Sequence, residues 1–331
     1  MDQNSTSPIG NDQNSTTSKS DALSIRTEKI EFRPTRLEDL KQINDLLARV
    51  HFDVGEHILK IYYLNSNRRW MVAVNEKGDI VAFDSSHELP LNKITFGFDM
   101  YVIDEYQNRG IIRRIGSVYS GGPGMGNATA QAVLLFPQFH RFEVKLLGYI
   151  GAPDPDLLGD QFMQFNQYSP IKISIVDTDQ DVAEILAYDR SSIFLLDRDP
   201  FLRAWCAKSK PDEPYARTLV AKRESDGQVI GFGVVRRFSD FYGLVPLYAD
   251  DQTVARRLLV EAVRVFVNEC GREEVLYVFF DAKNYLMMDF VHRLKFEQCD
   301  CEIRQYGKGA EVVKEYCRFE RVYSFHDYWP V

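Results

Sequence analysis

The segment from Lys93 to Tyr119 constrains the fold of this chain more than any other. Apolar and polar residues alternate from Lys93 to Val102, which predicts a β-strand. Gly110 to Tyr119 has apolar residues at helical spacing, which predicts an α-helix. The polar stretch Gln107 to Gly110 joins the two. It turns the free backbone N–H groups and the positive dipole end of the helix towards the end of the strand, an arrangement that suits phosphate groups.

Composition limits the classes of protein to which this chain can belong. Its 331 residues suit two domains, and 45% hydrophobic residues can form sizeable cores. A net charge of −8 argues against a general nucleic-acid binder and is compatible with a cationic substrate such as an amine. No apolar run is long enough to span a membrane, and the polar N-terminus has no secretory signal pattern. Five scattered cysteines fit a reducing compartment. We therefore expect a cytoplasmic protein without membrane or nucleic-acid partners, and the oligomeric state stays open.

The first half of the chain has a polar tail followed by a mixed pattern of strands and helices. Residues 1–28 are rich in Asn, Ser, Thr, Asp and Gln, which predicts disorder because they can bury too little apolar surface. A capping box of Thr35 and Glu38 is expected to begin the first helix. The predicted elements are a strand at Ile30–Arg33, helices to Val50 and over Gly55–Leu64, a hairpin of Trp70–Val74 and Ile80–Asp84, the strand and helix described above, a connection at Gly121–Gly126, a strand at Ala132–Phe136 and a helix at Pro137–Leu147.

A similar order of elements follows after a linker at residues 153–170. The hairpin turn at Glu224–Gly227 and the long amphipathic helix after Asp251 are its clearest features. The predicted elements are strands at Ile171–Val176, Arg217–Arg223, Val229–Arg237, Tyr242–Tyr248, Val275–Asp281 and Phe296–Tyr306, with helices from Asp179 to Tyr188, over Phe194–Ala207, after Asp251 and over Tyr285–Leu294.

The loop resembles the acetyl-CoA pyrophosphate loop of the GNAT superfamily of N-acetyltransferases. The family pattern is Gln/Arg-x-x-Gly-x-Gly/Ala, and this chain matches it with Gln107 and Gly110. Ile112 departs from the small residue that is usual at the last position. The order of elements is also that of a GNAT domain, and Leu147-Gly-Tyr149 resembles the Leu-Gly-Phe that often follows its last helix.

The second half resembles the C-terminal half of a tandem branch of the same family, without the Gln-x-x-Gly loop. The resemblance is carried by Asp189, Arg198, Gly231–Arg236 and Pro246–Asp250. It implies an α/β fold of two GNAT-like domains, at 29–152 and 171–331, each a mixed, mostly antiparallel sheet flanked by helices.

The resemblance also implies a cofactor and a set of site residues. The co-substrate would be acetyl-CoA, with no metal. Asp99 is the candidate general base, because attack requires a deprotonated amine; the alternative is an ordinary aspartate on a strand face. The expected pantetheine contacts are Met100, Tyr101 and Val102. The expected phosphate contacts are Gln107, Asn108, Arg109, Gly110, Ile111, Ile112 and Arg113.

Several positions depart from the family or allow two interpretations. Val144 and Val291 stand where the family often has a proton-donating tyrosine. Ala249–Asp251 is interpreted as a helix cap, although a second CoA site there stays open. Arg198 and Arg236 could bind an anion or form ion pairs, and surface pairing is the more common outcome.

Taken together, these features predict transfer of an acetyl group from acetyl-CoA to an amine, by direct attack of the amine on the thioester. A small molecule is favoured over a protein as the acceptor. The alternative is a non-catalytic acyl-CoA sensor, or a scaffold on a degenerate GNAT fold.

Overall fold

The computed structural model of this chain describes residues 28–49, 54–65, 70–89, 94–116, 124–128, 142–159, 162, 170–194, 198–206, 213–306 and 317–324. Side chains are described throughout these ranges except at 86–99, 116, 124–128, 142–144 and 302–306.

Thirteen strands form one sheet. The strands are β1 (Glu31–Pro34), β2 (Met71–Val74), β3 (Ile80–Leu89), β4 (Ile94–Val102), β5 (Gly124–Ala128), β6 (Phe142–Gly151), β7 (Ile171–Ile175), β8 (Ala216–Arg223), β9 (Val229–Arg237), β10 (Tyr242–Ala249), β11 (Leu276–Asp281), β12 (Glu297–Tyr306) and β13 (Val322–Ser324). Their order is β1-β2-β3-β4-β5-β12-β6-β11-β10-β9-β8-β7, and β13 pairs with β10 outside this path.

The two halves of the chain exchange a strand at the centre of the sheet. β6, from the first half, lies between β11 and β12 of the second half, and β12 in turn lies between β5 and β6. The antiparallel pairing of β6 with β12 runs from Ile150 opposite Glu297 to Phe142 opposite Tyr306. Backbone hydrogen bonds therefore join the halves into a single continuous sheet.

The helices cover both faces of this sheet. They are α1 (Leu40–Ala48), α2 (Glu56–Asn65), α3 (Ile111–Gly116), α4 (Asp179–Tyr188), α5 (Asp199–Cys206), α6 (Gln252–Cys270) and α7 (Tyr285–Arg293). One core unites α1 and α2 with α4 and α5 on one face. On the other face, α3 packs on the strands of the first half, and α6 and α7 pack on those of the second. No helix in the described ranges is long and apolar enough to cross a membrane.

An aromatic stack joins the halves on the first face. The ring of Tyr62 on α2 lies 5.6 Å from that of Phe201 and 5.7 Å from that of Trp205, both on α5. Nearby, Nε2 of His57 lies 2.8 Å from the carbonyl oxygen of Arg237. The halves thus share side-chain packing as well as backbone pairing.

Most predicted elements are confirmed within one to three residues, including the two hairpins, β4 and the long helix α6. Thr178 caps α4 as expected, since its side chain accepts a hydrogen bond from the N–H of Asp181 at 3.1 Å. The GNAT-type fold class is confirmed, with the addition that the sheets of the two halves are continuous. The domain boundaries at 152 and 171 stay a prediction.

The predicted helix at Pro137–Leu147 is wrong, because Phe142–Gly151 is strand β6. Leu146 contacts the core on one face and Leu147 the core on the other. A strand buried on both faces loses the alternation that distinguishes it from a helix. Leu147-Gly148-Tyr149 accordingly lies within a central strand and does not follow a helix. Likewise, the predicted connection at Gly121–Gly126 overlaps β5.

Three smaller predictions also need correction. The helix expected from Phe194 begins at Asp199, because a π-helical turn at Asp189–Ile193 extends α4 instead. The expected capping box is absent from the described geometry, since Asp39, not Thr35, accepts the N-terminal hydrogen bond. Strand β13 was not predicted, because three residues carry too little periodicity. The predicted tail (except residue 28) and the strand at 132–136 lie outside the described residues.

Asp39 provides a test of the turn before α1. Its carboxylate accepts hydrogen bonds from Nη1 and Nη2 of Arg33 at 2.6 and 2.8 Å and from the backbone N–H of Arg36 at 2.7 Å. Burial alone would raise the pKa of Asp39, but these hydrogen bonds outweigh it and hold the pKa below its ordinary value. Asp39→Asn should lower the free energy of unfolding by about 1–3 kcal/mol at pH 7. The difference from wild type should shrink as the pH falls below about 4, because the ionised carboxylate is lost. Urea unfolding at both pH values measures this, with exposed Glu38→Gln as the control.

Tyr62 provides a test of the packing between the halves. Tyr62→Ala should lower the free energy of unfolding by about 3–5 kcal/mol, because a large buried ring is removed. Chemical denaturation should still show one transition, since the halves share a sheet. Tyr285→Ala is the matched control, because that ring is 83% exposed. Two separate transitions, of which only one moves, would contradict the shared core.

Candidate functional site

The candidate site begins where β4 and β5 diverge. These parallel strands pair only from Thr95 opposite Gly124 to Gly97 opposite Gly126. Beyond Gly97, β4 continues to Val102 with β3 on one side. In the part of the chain that the structure describes, no strand pairs with its other side. The sheet therefore opens into a wedge along the last residues of β4.

The backbone of β4 directs specific polar groups into this wedge. Ile103 donates its N–H to the carbonyl of Val81 at 3.0 Å, so its backbone groups face β3. Because an antiparallel ladder alternates, the backbone groups of Met100 and Val102 face the opposite side. One of these carbonyls, that of Val102, accepts a hydrogen bond from Nε2 of Gln107 at 3.3 Å. The N–H and C=O of Met100 and the N–H of Val102 thus point into the wedge.

The loop after β4 is held by short-range contacts. The side chain of Gln107 also donates to Oδ1 of Asp104 at 2.7 Å, and so it ties the loop to the end of the strand. Asn108 and Gly110 both adopt left-handed backbone conformations, with φ of 61° and 71°. Nothing lies within 4 Å of a Cβ built on Gly110, so the glycine is needed there for its conformation rather than for space. The sequence reaches α3 through this turn.

Arginines surround the loop. The guanidinium of Arg109 lies 4.6 Å from the centre of the Tyr106 ring, and that of Arg114 lies 4.4 Å from the Phe32 ring. Arg113 is exposed. Such cation–π contacts leave N–H groups of the guanidinium free to bind anions while limiting the motion of the side chain. The start of α3 therefore combines unpaired backbone N–H groups with positive charge.

Tyr106 anchors the loop, and the sequence analysis did not identify it. Its hydroxyl donates to the carboxylate of Glu28 and approaches Asn75 Nδ2 at 3.3 Å. Burial raises the pKa of Tyr106, and the hydrogen bond to Glu28 adds to the rise, so the phenol stays protonated at neutral pH. The only signal in the sequence was an aromatic residue directly before Gln107.

The predicted site residues lie together along this strand and loop. Met100 is 38% exposed, whereas Val102 is buried beneath α3. Tyr101 is half-buried on the opposite face, against the α1 and α2 core. Ile111 is buried and Ile112 half-buried, both against the core under α3, whereas Gln107, Asn108 and Gly110 are exposed. Asp99 lies on β4, but its side chain is outside the described part.

A cavity of about 710 Å³ opens beside the loop, between α1 and the β2–β3 turn. Its lining includes Asp45, Arg49, Lys77, Asp79 and Glu105, a mixture of both charges. It lies past the end of β4, away from the wedge, and we assign no ligand to it. No three potential metal ligands come together in the described ranges.

The start of α6 in the second half is built differently. The carboxylate of Asp251 accepts hydrogen bonds from the N–H groups of Thr253 and Val254 at 2.7 and 3.0 Å. Asp250 accepts from Arg321 and Tyr188. The helix-cap interpretation of these residues therefore agrees with the geometry. Val291 is buried on α7, whereas the position of Val144 in a strand removes the basis for comparing it with a helical tyrosine.

The arginines Arg198 and Arg236 are structural. Arg198 forms a buried bidentate ion pair with Asp189, with nitrogen–oxygen distances of 2.8 and 2.5 Å. Arg236 donates to the carbonyls of Ala204 and Trp205, and burial lowers the pKa of Arg236 to about 10. The expectation of surface ion pairing was wrong for both, because tertiary packing encloses them.

Comparison with known proteins agrees with this geometry. Residues 185–314 match the family model for a GNAT acetyltransferase domain. No curated protein matches the chain by sequence. Among solved structures, a candidate acetyltransferase from Pyrococcus horikoshii is 18% identical with a TM-score of 0.62, over 89% of this chain and 94% of that one. A tandem GNAT protein from the clavulanic acid biosynthesis pathway is 12% identical with a TM-score of 0.62, over 84% and 98%.

A third similar structure is the N-myristoyltransferase of Saccharomyces cerevisiae, solved with bound myristoyl-CoA. It is 13% identical with a TM-score of 0.57, over 84% of this chain and 78% of that one. At these identities the structures establish the fold, and the family model identifies the domain by sequence. The chain therefore belongs to the GNAT superfamily and has the fold of its acyltransferases.

Proposed function

We propose that this chain is an N-acetyltransferase that moves an acetyl group from acetyl-CoA to an amine, and that the first half holds the donor. The observation that carries this proposal is the open backbone edge at Met100–Val102, followed directly by a loop of free N–H groups and arginines. A pantetheine arm carries amides that can pair with such an edge, and a pyrophosphate suits such a loop. The myristoyl-CoA bound to the yeast neighbour supports an acyl-CoA as the kind of ligand.

Each group then has a chemical role. In this proposal the pyrophosphate lies against Gln107–Arg113, and the pantetheine arm runs along Met100–Val102. The amine nitrogen attacks the thioester carbonyl carbon, the carbon–sulfur bond breaks, and the thiolate leaves and takes a proton. The inward-facing N–H of Val102 would stabilise the developing charge on the carbonyl oxygen. Asp99 remains the candidate that receives the proton of the amine.

The net charge of −8 favours a cationic amine as the acceptor, with a small molecule as the first choice. The cytoplasm is the proposed compartment, because all five cysteines are free thiols.

Charge reversal at the loop tests where the donor binds. Arg109→Glu should weaken acetyl-CoA binding about 10- to 100-fold, because a charge-assisted contact to phosphate becomes a repulsion. Isothermal titration calorimetry measures this. Arg264→Glu is the matched control, because it makes the same charge change at an exposed position on α6 and should leave binding unchanged. Equal affinities of the two variants would contradict the proposed phosphate site.

A pair of glycine variants tests the loop conformation. Gly110 and Gly78 both have positive φ and open space around a built Cβ, so Gly110→Ala and Gly78→Ala should each cost about 1 kcal/mol of stability. Only Gly110→Ala should also weaken acetyl-CoA binding, because Gly78 lies in the β2–β3 turn. Thermal unfolding and calorimetry on the same samples separate the two effects. A loss of binding in both variants would point to general destabilisation.

Turnover separates an enzyme from a sensor. Acetylated product should form when acetyl-CoA is supplied with a panel of small amines. Mass spectrometry is the suitable readout, because the exposed thiols of Cys299 and Cys301 would react with colorimetric thiol reagents. Binding without any product across the panel would favour the sensor.

A further inference from the structure

The second half of the chain contains a wedge like that of the first. Its parallel strands β10 and β11 pair only at Tyr242 with Leu276 and at Gly243 with Tyr277, and then diverge. Both wedges therefore open after the first residues of a parallel strand pair and widen towards the carboxyl ends of the strands.

Backbone hydrogen bonds give the correspondence between the two edges. Asp250 donates its N–H to the carbonyl of Ile230 at 2.8 Å, just as Ile103 donates to Val81 at 3.0 Å. Counting back along each strand, Leu247 of β10 corresponds to Met100 of β4. The backbone groups of Leu247 therefore face the wedge between β10 and β11.

The edge of β10 is already paired. Strand β13 runs antiparallel to it, with Ser324 opposite Leu247 and Val322 opposite Tyr248. A strand of this chain thus occupies the edge that corresponds to the proposed pantetheine edge of the first half.

The hydroxyl of Ser324 fills the narrow end of the wedge. Its Oγ lies 2.8 Å from the carbonyl oxygen of Leu244 on β10 and 3.2 Å from that of Phe279 on β11. The N–H of Phe279 also donates to Oγ at 3.4 Å. Ser324 is fully buried, so one side chain links both diverging strands away from solvent.

The segment that leads to β13 is fastened along its length. Phe194 forms a backbone bridge with Cys317, and the N–H of Arg318 donates to the carbonyl of Ile193 at 2.9 Å. Further along, Nη1 of Arg321 lies 2.9 Å from Oδ1 of Asp250.

The residues of β13 are held in the same way. The side chain of Asn284 donates to the carbonyl of Tyr323 at 3.3 Å. Val322 packs into the core under α4 and α5, and Tyr323 into the core under α6 and α7. The segment is therefore part of the folded core.

We infer that residues 317–324 form a built-in strap that occupies the acyl-CoA slot of the second half, so that the protein binds one acyl-CoA, in the first half. This inference rests on the proposed function in taking acyl-CoA as the ligand. The helix beyond the slot supports it, because the carboxylate of Asp251 already accepts the N–H groups of Thr253 and Val254. A pyrophosphate there would meet two carboxylates instead of free donors.

Titration and hydrogen exchange on the full chain test this together. Acetyl-CoA should bind wild type with one equivalent, and Arg109→Glu should weaken that single event without revealing another. Amides of residues 317–324 should be protected at least about 100-fold in the free protein and equally protected at saturating acetyl-CoA. Two equivalents would overturn the inference, as would one equivalent that survives Arg109→Glu and abolishes protection of the strap.

The remaining outcomes separate this inference from the proposed function. No binding with a protected strap would sink the proposed donor site and leave the second slot closed, as inferred. Unprotected amides at 317–324 would show that the strap is not in place and would overturn the inference alone. Ser324→Ala should reduce protection of the segment about fivefold, because one buried hydrogen-bonding group is lost, and should leave the stoichiometry at one.

Discussion

The rest of the structure depends on the exchange of β6 and β12 between the two halves. Each of these strands lies between strands of the other half, so neither half completes its sheet alone. Leu146 and Leu147 of β6 face opposite cores, and the exchange therefore commits both layers of helices. The stacking of Tyr62 on α5 continues the same union on one face. The positions of both wedges follow from this arrangement, because each lies between parallel strands on either side of the exchanged pair.

The two wedges show how one backbone plan can have two outcomes. After β4, a loop from Ile103 to Gly110 separates the strand from α3 and leaves N–H groups exposed. After β10, only Asp250 and Asp251 precede α6, and both carboxylates are engaged by donors of the protein itself. The strap then satisfies the open strand edge with backbone and hydroxyl groups of the same chain. Unpaired edges are costly to bury, so a wedge without a ligand is stabilised when a strand fills it.

Local patterns in the sequence predicted much of the fold. The alternation of Lys93–Val102 and the period of the helix after Asp251 each reflect burial on one face, which a sequence shows directly. The same logic failed for β6, because a central strand is buried on both faces and resembles a helix in composition. It also failed for Arg198, since no local pattern indicates that a guanidinium nine residues from Asp189 will be enclosed with it. For the site, Gln107 and Gly110 marked the loop, but nothing marked Tyr106 as its anchor.

By itself, the sequence determined the succession of strands and helices, the glycine turn after β4 and the carboxylates that cap α6. These are short-range features, because backbone conformation and capping depend on residues a few positions apart. Only the tertiary structure decided which strands are neighbours, which arginines are buried and which wedge is closed. Those outcomes depend on contacts between residues far apart in the chain, such as Leu247 with Ser324 and Ile150 with Glu297. Hydrophobic burial and edge pairing select such contacts only when the whole chain has assembled.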